Sequence, residues 1–439
     1  MCFIPEVRDM SRSSSKSITS TADGDSVSVS GSHYTITVSG DGSAVSDSGT
    51  NNRTNLLGPD EGAFVTGDND AVVSTGFNGF ASLGGNGDSA SMSGNDSFVL
   101  VTGSRADVLL SGNGDAASIL GDRNDIRSTG TGNSISVGGA QNDVSVQGSQ
   151  TSVNDHGTAN AIVLRGENDS ASLFGSNSTV FATGDGDTLR LSGTDGTARA
   201  FGGGSSVVDF GTGDSMLLAG DNGIARLSGT NGTLRVTGDG ATVLDFGTGD
   251  TIELSGDHEN ATIVGDNASI RSTGCDNAIT VAGSGDSVDA SHASITVGNG
   301  VTTSVNGDHD AIALGTDSTL TLTGRLNDVL TVSSPDASDT LVLGNVSHDR
   351  LWFSQNNEDL VISVIGRHER VTVADWFDAP SSHIGTLQTA DGFSISDTGV
   401  DQLVQAVSAF SPPSYGHWHN EHGDAAALAP VLAANWQHS

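Results

Sequence analysis

Lysine occurs once in the 439 residues, as Lys16, and all basic side chains together number 17 against 53 acidic ones. The resulting net charge of −36 excludes nucleic acid and anionic membrane surfaces as partners and favours cations. Two cysteines, Cys2 and Cys275, cannot build a disulfide framework. No apolar run approaches the roughly 18 residues that a membrane helix needs. The segment 1–10 lacks the apolar stretch of a secretory leader, so the expectation is a chain with no membrane span and no conventional N-terminal export signal. Aromatic residues make up 5% of the chain, too few for an ordinary large core. Disordered chains share this composition, but they have no strict periodicity.

Glycine is abundant, at 60 residues, and it is periodic: every ninth residue from Gly31 to Gly283 is glycine, 29 in succession. The fifth residue after each of these glycines is apolar in 28 units, with only Thr54 departing, and the seventh is apolar in 22. Alternation of period two inside a period of nine implies a short strand and a turn. In the unit 184–192, Leu189 and Leu191 are expected to face inward and Thr188 and Arg190 outward. The register glycine is expected to supply a positive φ at the corner and to let adjacent coils approach closely.

The exceptions at the seventh position reveal the coil. They are Asp47, Asp155, Asp209 and Asp245, and separately Ser74, Ser128 and Ser272; spacings within each set are multiples of 18, and the two sets are offset by odd multiples of nine. Alternate units are therefore distinct, as in a two-sided coil built from a pair of nonapeptides. The echo of 208–214 in 244–250 repeats two coils later. A triangular helix of hexapeptides would show a period of six. The expected fold is all-β: a two-sheet parallel β-roll, or β-solenoid, of nonapeptide repeats, with about 15 coils over 22–291. Burying an unpaired carboxylate costs several kcal/mol. The four exceptional aspartates should therefore line one sheet and either accept turn N–H bonds, for Asp209 from around Gly211 and Gly213, or join a cation site, with the three serines on the other sheet.

The phase breaks at His292 and resumes at Gly315 and Gly324, which carries the roll to about residue 335. The expected organisation is a flexible segment at 1–21, the solenoid at 22–335, a small α+β cap at 336–411 and a flexible tail at 412–439. All four tryptophans lie after the roll. Strand-like runs at 339–343, 350–354, 359–365, 370–373 and 386–396 lead to a helix marked by Val400, Leu403, Val404, Val407 and Phe410. It is expected to be capped at Asp397 or Thr398 and stopped by Pro412 and Pro413.

At the third position after the register glycine, 14 of 29 units carry Asp or Asn, and eight carry Asp: Asp70, Asp88, Asp115, Asp169, Asp187, Asp214, Asp250 and Asp286. Stacked at about 4.8 Å, such carboxylates repel one another unless a cation lies between coils. Carboxylates and turn carbonyls are hard oxygen donors suited to calcium. The alternative is that Asp and Asn only shape the turns and keep the surface soluble.

Units such as Asp187-Thr-Leu189 and Asp250-Thr-Ile252 resemble the haemolysin-type (RTX) calcium-binding repeat, Gly-Gly-x-Gly-x-Asp-x-aliphatic-x. The stretch from Arg350-Leu-Trp-Phe-Ser354 through Glu358–Ser363, Arg370–Phe377 and Ala390-Asp-Gly392 to Val400–Ala406 resembles the domain that commonly follows such repeats. In the family the glycine lies two residues before the Asp; here the register glycine lies three before it, and only Gly94-Asn-Asp96-Ser-Phe98 restores the family spacing. The resemblance implies calcium as the bound ion, the eight aspartates as its ligands, and leaderless type I export from a Gram-negative cell with the address near the C-terminus. The type I secretion apparatus is then a partner and the location is extracellular.

The tail His417, His419 and His422 has a spacing that suits a transition metal, but incidental histidines in a polar tail are the preferred reading. The segment 425–436, with Leu428, Val431, Leu432 and Trp436, is the expected export signal. Arg127, Arg199, Arg235 and Arg271 recur at multiples of 36 and read as a solvated ladder that offsets nearby acids. No Ser-His-Asp order or singled-out acid pair points to catalysis, so no catalytic residue is assigned and an enzyme is not expected. The expected function is that of a secreted calcium-binding roll with a structural, matrix or surface-interaction role. The alternative is a module that binds extracellular polysaccharide or ice through a flat face.

Overall fold

A computed structural model describes residues 16–332, 338–408 and 434–438. The chain divides into two compact units, Met1–Gly184 and Asp185–Ser439, and each is a parallel β-solenoid over its described residues. Strands of mostly four residues follow one another every nine residues and alternate between two sheets. Each strand pairs in parallel with the strand one coil away. In the first unit Phe98 pairs with Ala116 and Asp107 with Asp125; in the second, Thr188 pairs with Ser206 and Thr251 with Ser269, always two nonapeptides apart. The expected coil of paired nonapeptides and the two-sheet roll are therefore the observed architecture.

The period-two pattern sets the packing. Residues five and seven after the register glycine point inward and are buried, as Val108, Leu110, Leu189 and Leu191 are, while residues four and six face out. With one or two small aliphatics per strand the interior is narrow, and the coils supply cohesion through their continuous hydrogen-bonded ladders.

The left-handed residue at each corner is not the register glycine but the residue two positions later. Asn51, Asn69, Asn168 and Asn231 there have φ between 55° and 58°, and Gly132 has 71°. Asn, Asp and Gly tolerate this region best. The register glycines answer to a different constraint. A Cβ on Gly67, Gly130 or Gly148 would overlap the carbonyl oxygen of the glycine one coil earlier. Close approach of coils, not a left-handed φ, is thus the constraint on these glycines.

In the first unit the first described strand is Lys16–Ser20, inside the segment expected to be flexible, and it pairs with Tyr34–Val38. In the second unit the phase break shortens coils without ending the roll. Ala278 pairs with Ser294 and Asp286 with Thr303, so these coils fall short of a full pair of nonapeptides yet stay in register. One sheet continues beyond 335, because Thr340–Leu343 adds to Thr319–Leu322 and Thr386–Thr389 adds to Thr340–Leu343, all in parallel. The cap proper is an antiparallel set, Leu351–Asn356, Asp359–Val364 and Arg370–Val373, covered by a helix, Asp397–Val407. The N-cap of that helix is Ser396, whose side chain accepts the Gly399 N–H at 3.2 Å, one residue ahead of the expected Asp397 or Thr398. Val400, Leu403, Val404 and Val407 are buried as their spacing required. Gln437–His438 pairs antiparallel with Phe393–Ser396, and Trp436 is buried with its ring 6.3 Å from Phe353. Phe410, the two prolines and the histidines 417, 419 and 422 lie outside the described residues.

Candidate functional site

The third position after the register glycine is the last residue before the strand, or at Tyr34 and Asp286 its first residue, and the aspartates there turn into the corner. All eight aspartates expected there as metal ligands, Asp70, Asp88, Asp115, Asp169, Asp187, Asp214, Asp250 and Asp286, are buried. Their common partner is the backbone. Oδ1 of Asp70, Asp115 and Asp169 accepts the N–H of Asn52, Ser97 and Thr151 at 2.6, 2.9 and 2.8 Å. Asp88 accepts from Asp70 N–H at 2.9 Å and from its own Gly85 N–H at 3.1 Å. In the second unit Asp214, Asp250 and Asp286 accept from Gly196, Gly232 and Ala268 at 2.7 Å each. The N–H of Asp187 is likewise donated to the next coil, to Ser205 Oγ at 3.2 Å. Apart from the Gly85 bond, one coil's side chain takes the N–H of the same position in the preceding coil. Asn124, Asn142 and Asn160 continue the ladder by the same bond.

A second ladder runs outside it in the opposite sense. Residues directly after the register glycine accept the N–H of the next coil, as Asp68 does from Asn86 at 2.8 Å and Asp239 from Asp257 at 2.9 Å. The corners thus expose one row of side-chain oxygens and bury another.

Burial raises the inner row. Asp70, Asp88, Asp115 and Asp286 are held up at about 6 chiefly by desolvation, against the lowering effect of their backbone N–H donors. Asp169 is raised for the same reason. Asp310 and Asp328 continue the row after the phase break and stand at about 7 and 6, again through burial first. Glu61 and Glu259 occupy the same slot, and desolvation raises both, Glu259 to about 8. Glu61 and Glu259 are in register with the eight aspartates, so position rather than residue type marks them, whereas Asp310 and Asp328 follow the phase break and no period marks them. Oδ2 of Asp70, Asp115 and Asp286 is buried with no hydrogen-bond partner. The donors are hard oxygens of the kind calcium takes, but they come one carboxylate per corner. Among the described residues no three His, Cys, Asp or Glu side chains converge as a metal-ion group.

The exceptional inward residues fall where the coil required. In the first unit Asp47 and Asp155 lie on one sheet and Ser74 and Ser128 on the other; in the second, Asp209 and Asp245 share a sheet and Ser272 lies on the other. Each of the four carboxylates accepts the N–H of the glycine two residues on, at 2.9 Å from Gly49, 2.8 Å from Gly157, 2.7 Å from Gly211 and 2.8 Å from Gly247. The turn N–H is thus a partner of all four carboxylates. Gly213 does not contribute, since its N–H goes to the Thr230 carbonyl at 3.0 Å. The residue five positions on completes the arrangement. Asn52 and Asn160 Nδ2 donate to Asp47 and Asp155 at 2.8 and 2.6 Å, and Asn133 and Asn277 donate to Ser128 and Ser272 at 2.8 and 2.9 Å.

The outer faces are mostly polar. Arg127 pairs with Asp107 and Asp125, Arg235 with Glu253 at 3.6 Å and Arg271 with Asp289 at 3.9 Å, all exposed. On one face of the first unit Phe64, Phe80 and Phe98 meet in successive coils: Phe64 and Phe80 are tilted at 48° with centroids 5.1 Å apart, and Phe80 and Phe98 are stacked at 5.9 Å. In the cap, His348 bonds Asp391 at 2.6 Å and its ring lies 3.9 Å from Phe393 and 5.6 Å from Trp436. No helix among the described residues is long and apolar enough to cross a membrane. Compared with models of known protein families, the chain matches none.

Proposed function

We propose that the protein is a non-enzymatic structural or surface-interaction element, exported by a type I route and stabilised by calcium outside the cell. The observation that carries this reading is the commitment of nearly the whole described chain to regular coils, whose interior is filled by side chains and whose repeating outer faces and corners are what a partner would meet. The resemblance of the repeats and of 350–406 to haemolysin-type proteins supports export and calcium. Calcium, when bound, supplies positive charge to a chain of net charge −36. The residues that would hold it are the single-acid corners at Asp70, Asp88, Asp115, Asp169, Asp187 and Asp286, through the carboxylate oxygens and the corner carbonyls. Equilibrium dialysis against ⁴⁵Ca, with circular dichroism on the same samples, tests this. Saturable binding that weakens in Asp70→Asn/Asp88→Asn/Asp115→Asn is expected; equal uptake by the variant, or none by either protein, contradicts the calcium assignment.

The row Phe64, Phe80 and Phe98 favours a second reading, an extracellular polysaccharide as the partner, because the exposed rings of Phe64 and Phe98, on either side of the half-buried Phe80, offer apolar platforms to sugars. Cosedimentation with insoluble polysaccharides, lost in Phe64→Ser/Phe98→Ser, is the expected result. Equal cosedimentation of the variant removes that face from consideration.

A further inference from the structure

The charges of the first unit avoid one outward face altogether. On the sheet made by Ser26–Val29, Ala44–Asp47 and every second strand on to Ser170–Leu173, the outward residues are Ser, Ala, Gly, Asn, Phe or Leu without exception. The other sheet of the same unit carries Asp107, Asp125 and Arg127 at outward positions, and exposed corners carry Asp60 and Asp122. In a chain with 53 acids, a flat face free of charge is a feature that solubility does not account for.

The apolar residues of that face form a continuous line. Phe80 pairs with Phe98 in the next coil, and Phe98 shares its strand with Leu100. Leu120, Gly138, His156 and Phe174 then occupy one column in successive coils, each directly after a strand of this sheet. The Leu120 side chain lies against Gly138, where a Cβ would stand 3.4 Å from Leu120 Cδ2. The rings of His156 and Phe174 stack with centroids 4.7 Å apart and planes 7° from parallel. Phe64, Phe98, Leu120 and Phe174 are all exposed. The line therefore crosses the face obliquely, from the row Phe64, Phe80 and Phe98 to a second aromatic platform at His156 and Phe174, with Ser118 and Ser136 beside it. The strands at its ends, Gly62–Val65 and Ser170–Leu173, are six coils apart, about 29 Å at one strand spacing per coil.

We propose that this face is a binding track for one extended, uncharged polysaccharide chain, with the His156–Phe174 pair as its second sugar platform, a role that rests on the reading of the phenylalanine row as a polysaccharide site. The chemistry of the face selects the occupant. Ring faces take the C–H faces of sugars, and serine and asparagine side chains both donate and accept, as sugar hydroxyls do. A carboxylated polymer would find no cation among the outward residues of these strands and would meet Asp60 and Asp122 at the bordering corners. A second copy of this chain would bring the mutual repulsion of two chains of net charge −36.

Retention of the full-length protein on insoluble cellulose, chitin and mannan, with alginate beads as the charged counterpart, tests the class of ligand. Isothermal titration with a trisaccharide and a hexasaccharide of the retained polymer tests the track. Retention by a neutral polymer and not by alginate is expected, with one hexasaccharide or two trisaccharides bound per chain. Phe174→Ser and Phe64→Ser/Phe98→Ser change only exposed rings, so both are expected to keep the wild-type circular dichroism. Each should weaken hexasaccharide binding about tenfold, the loss of one stacking platform, and leave one trisaccharide bound. Full hexasaccharide affinity in Phe174→Ser, with a loss in Phe64→Ser/Phe98→Ser, overturns the two-platform track and leaves the phenylalanine row as the whole site. Unchanged affinity in both variants, retention by no neutral polymer, or equal retention by alginate overturns the track and the reading beneath it. A dimer in sedimentation equilibrium that Phe174→Ser dissociates assigns the face to a second copy instead.

Discussion

Within a single corner, Gly130 and Gly132 separate two demands that glycine can meet. Gly130 has no room, because its Cβ would overlap the Gly112 carbonyl of the coil before, whereas Gly132 has a φ of 71° and open space around its missing side chain. Gly130→Ala should therefore cost about 3 kcal/mol, as overpacking against rigid backbone does. Gly132→Asn, which installs the residue that other coils carry there, should stay within about 0.5 kcal/mol of wild type. Urea midpoints of the two variants check this, and equal effects would contradict it. The need for glycine was legible in the period, but its cause was not, because periodicity does not separate a dihedral requirement from a contact with the neighbouring coil. The inward aspartates show the same limit. Their sheet and their glycine donors followed from spacing alone, while their partnership with the residue five positions on was written in the sequence as Asp47/Asn52, Asp155/Asn160 and Ser128/Asn133 and becomes evident only when the corner is seen to bring these side chains together.

Strands of four residues are stable here because each is flanked by two others in register, and the register survives where the repeat does not. The shortened coils around His292 keep the ladder by tightening the corner, so a loss of period in the sequence is not a loss of fold. The cap was legible as strands and a helix from its apolar spacing. The return of the chain to it was not, since Trp436 and the short strand Gln437–His438 follow a polar tail with no period. Trp436→Ala is expected to destabilise the C-terminal segment by about 3 kcal/mol, a typical cost for emptying a buried tryptophan site. Hydrogen exchange of Leu351–Asn356 and Phe393–Ser396 should accelerate while the strands of the first unit are unaffected. Slow exchange throughout would show that Trp436 contributes no packing. Export is tested separately: deletion of 412–439 is expected to retain the protein in the cell. Full secretion of the truncated protein would place the export address elsewhere.

Across the whole chain the acids set the stability. Asp70, Asp88, Asp115, Asp214, Asp250, Asp286, Asp310 and Asp328 titrate in the folded state at about 6 to 7, above the ordinary value of 3.8, with burial as the main cause. Over that interval the folded state holds protons that the unfolded chain has released. Stability is therefore lost as pH rises from about 4 through about 7, in the opposite sense to a carboxylate in a salt bridge. The excess of 53 acids over 17 bases adds repulsion in the same direction. Composition showed the charge; only the coil shows that much of it is turned inward, onto backbone N–H groups, in corners where a proton or a cation must meet the remaining oxygen. An ion bound by the folded state alone would offset the loss, by about 2.7 kcal/mol at 100 times its Kd. The most direct measurement is the thermal midpoint in chelator at pH 5, in chelator at pH 8, and at pH 8 with millimolar calcium. The buried-carboxylate account predicts a lower midpoint at pH 8 than at pH 5 and its recovery by calcium, whereas three superimposable melting curves would contradict it.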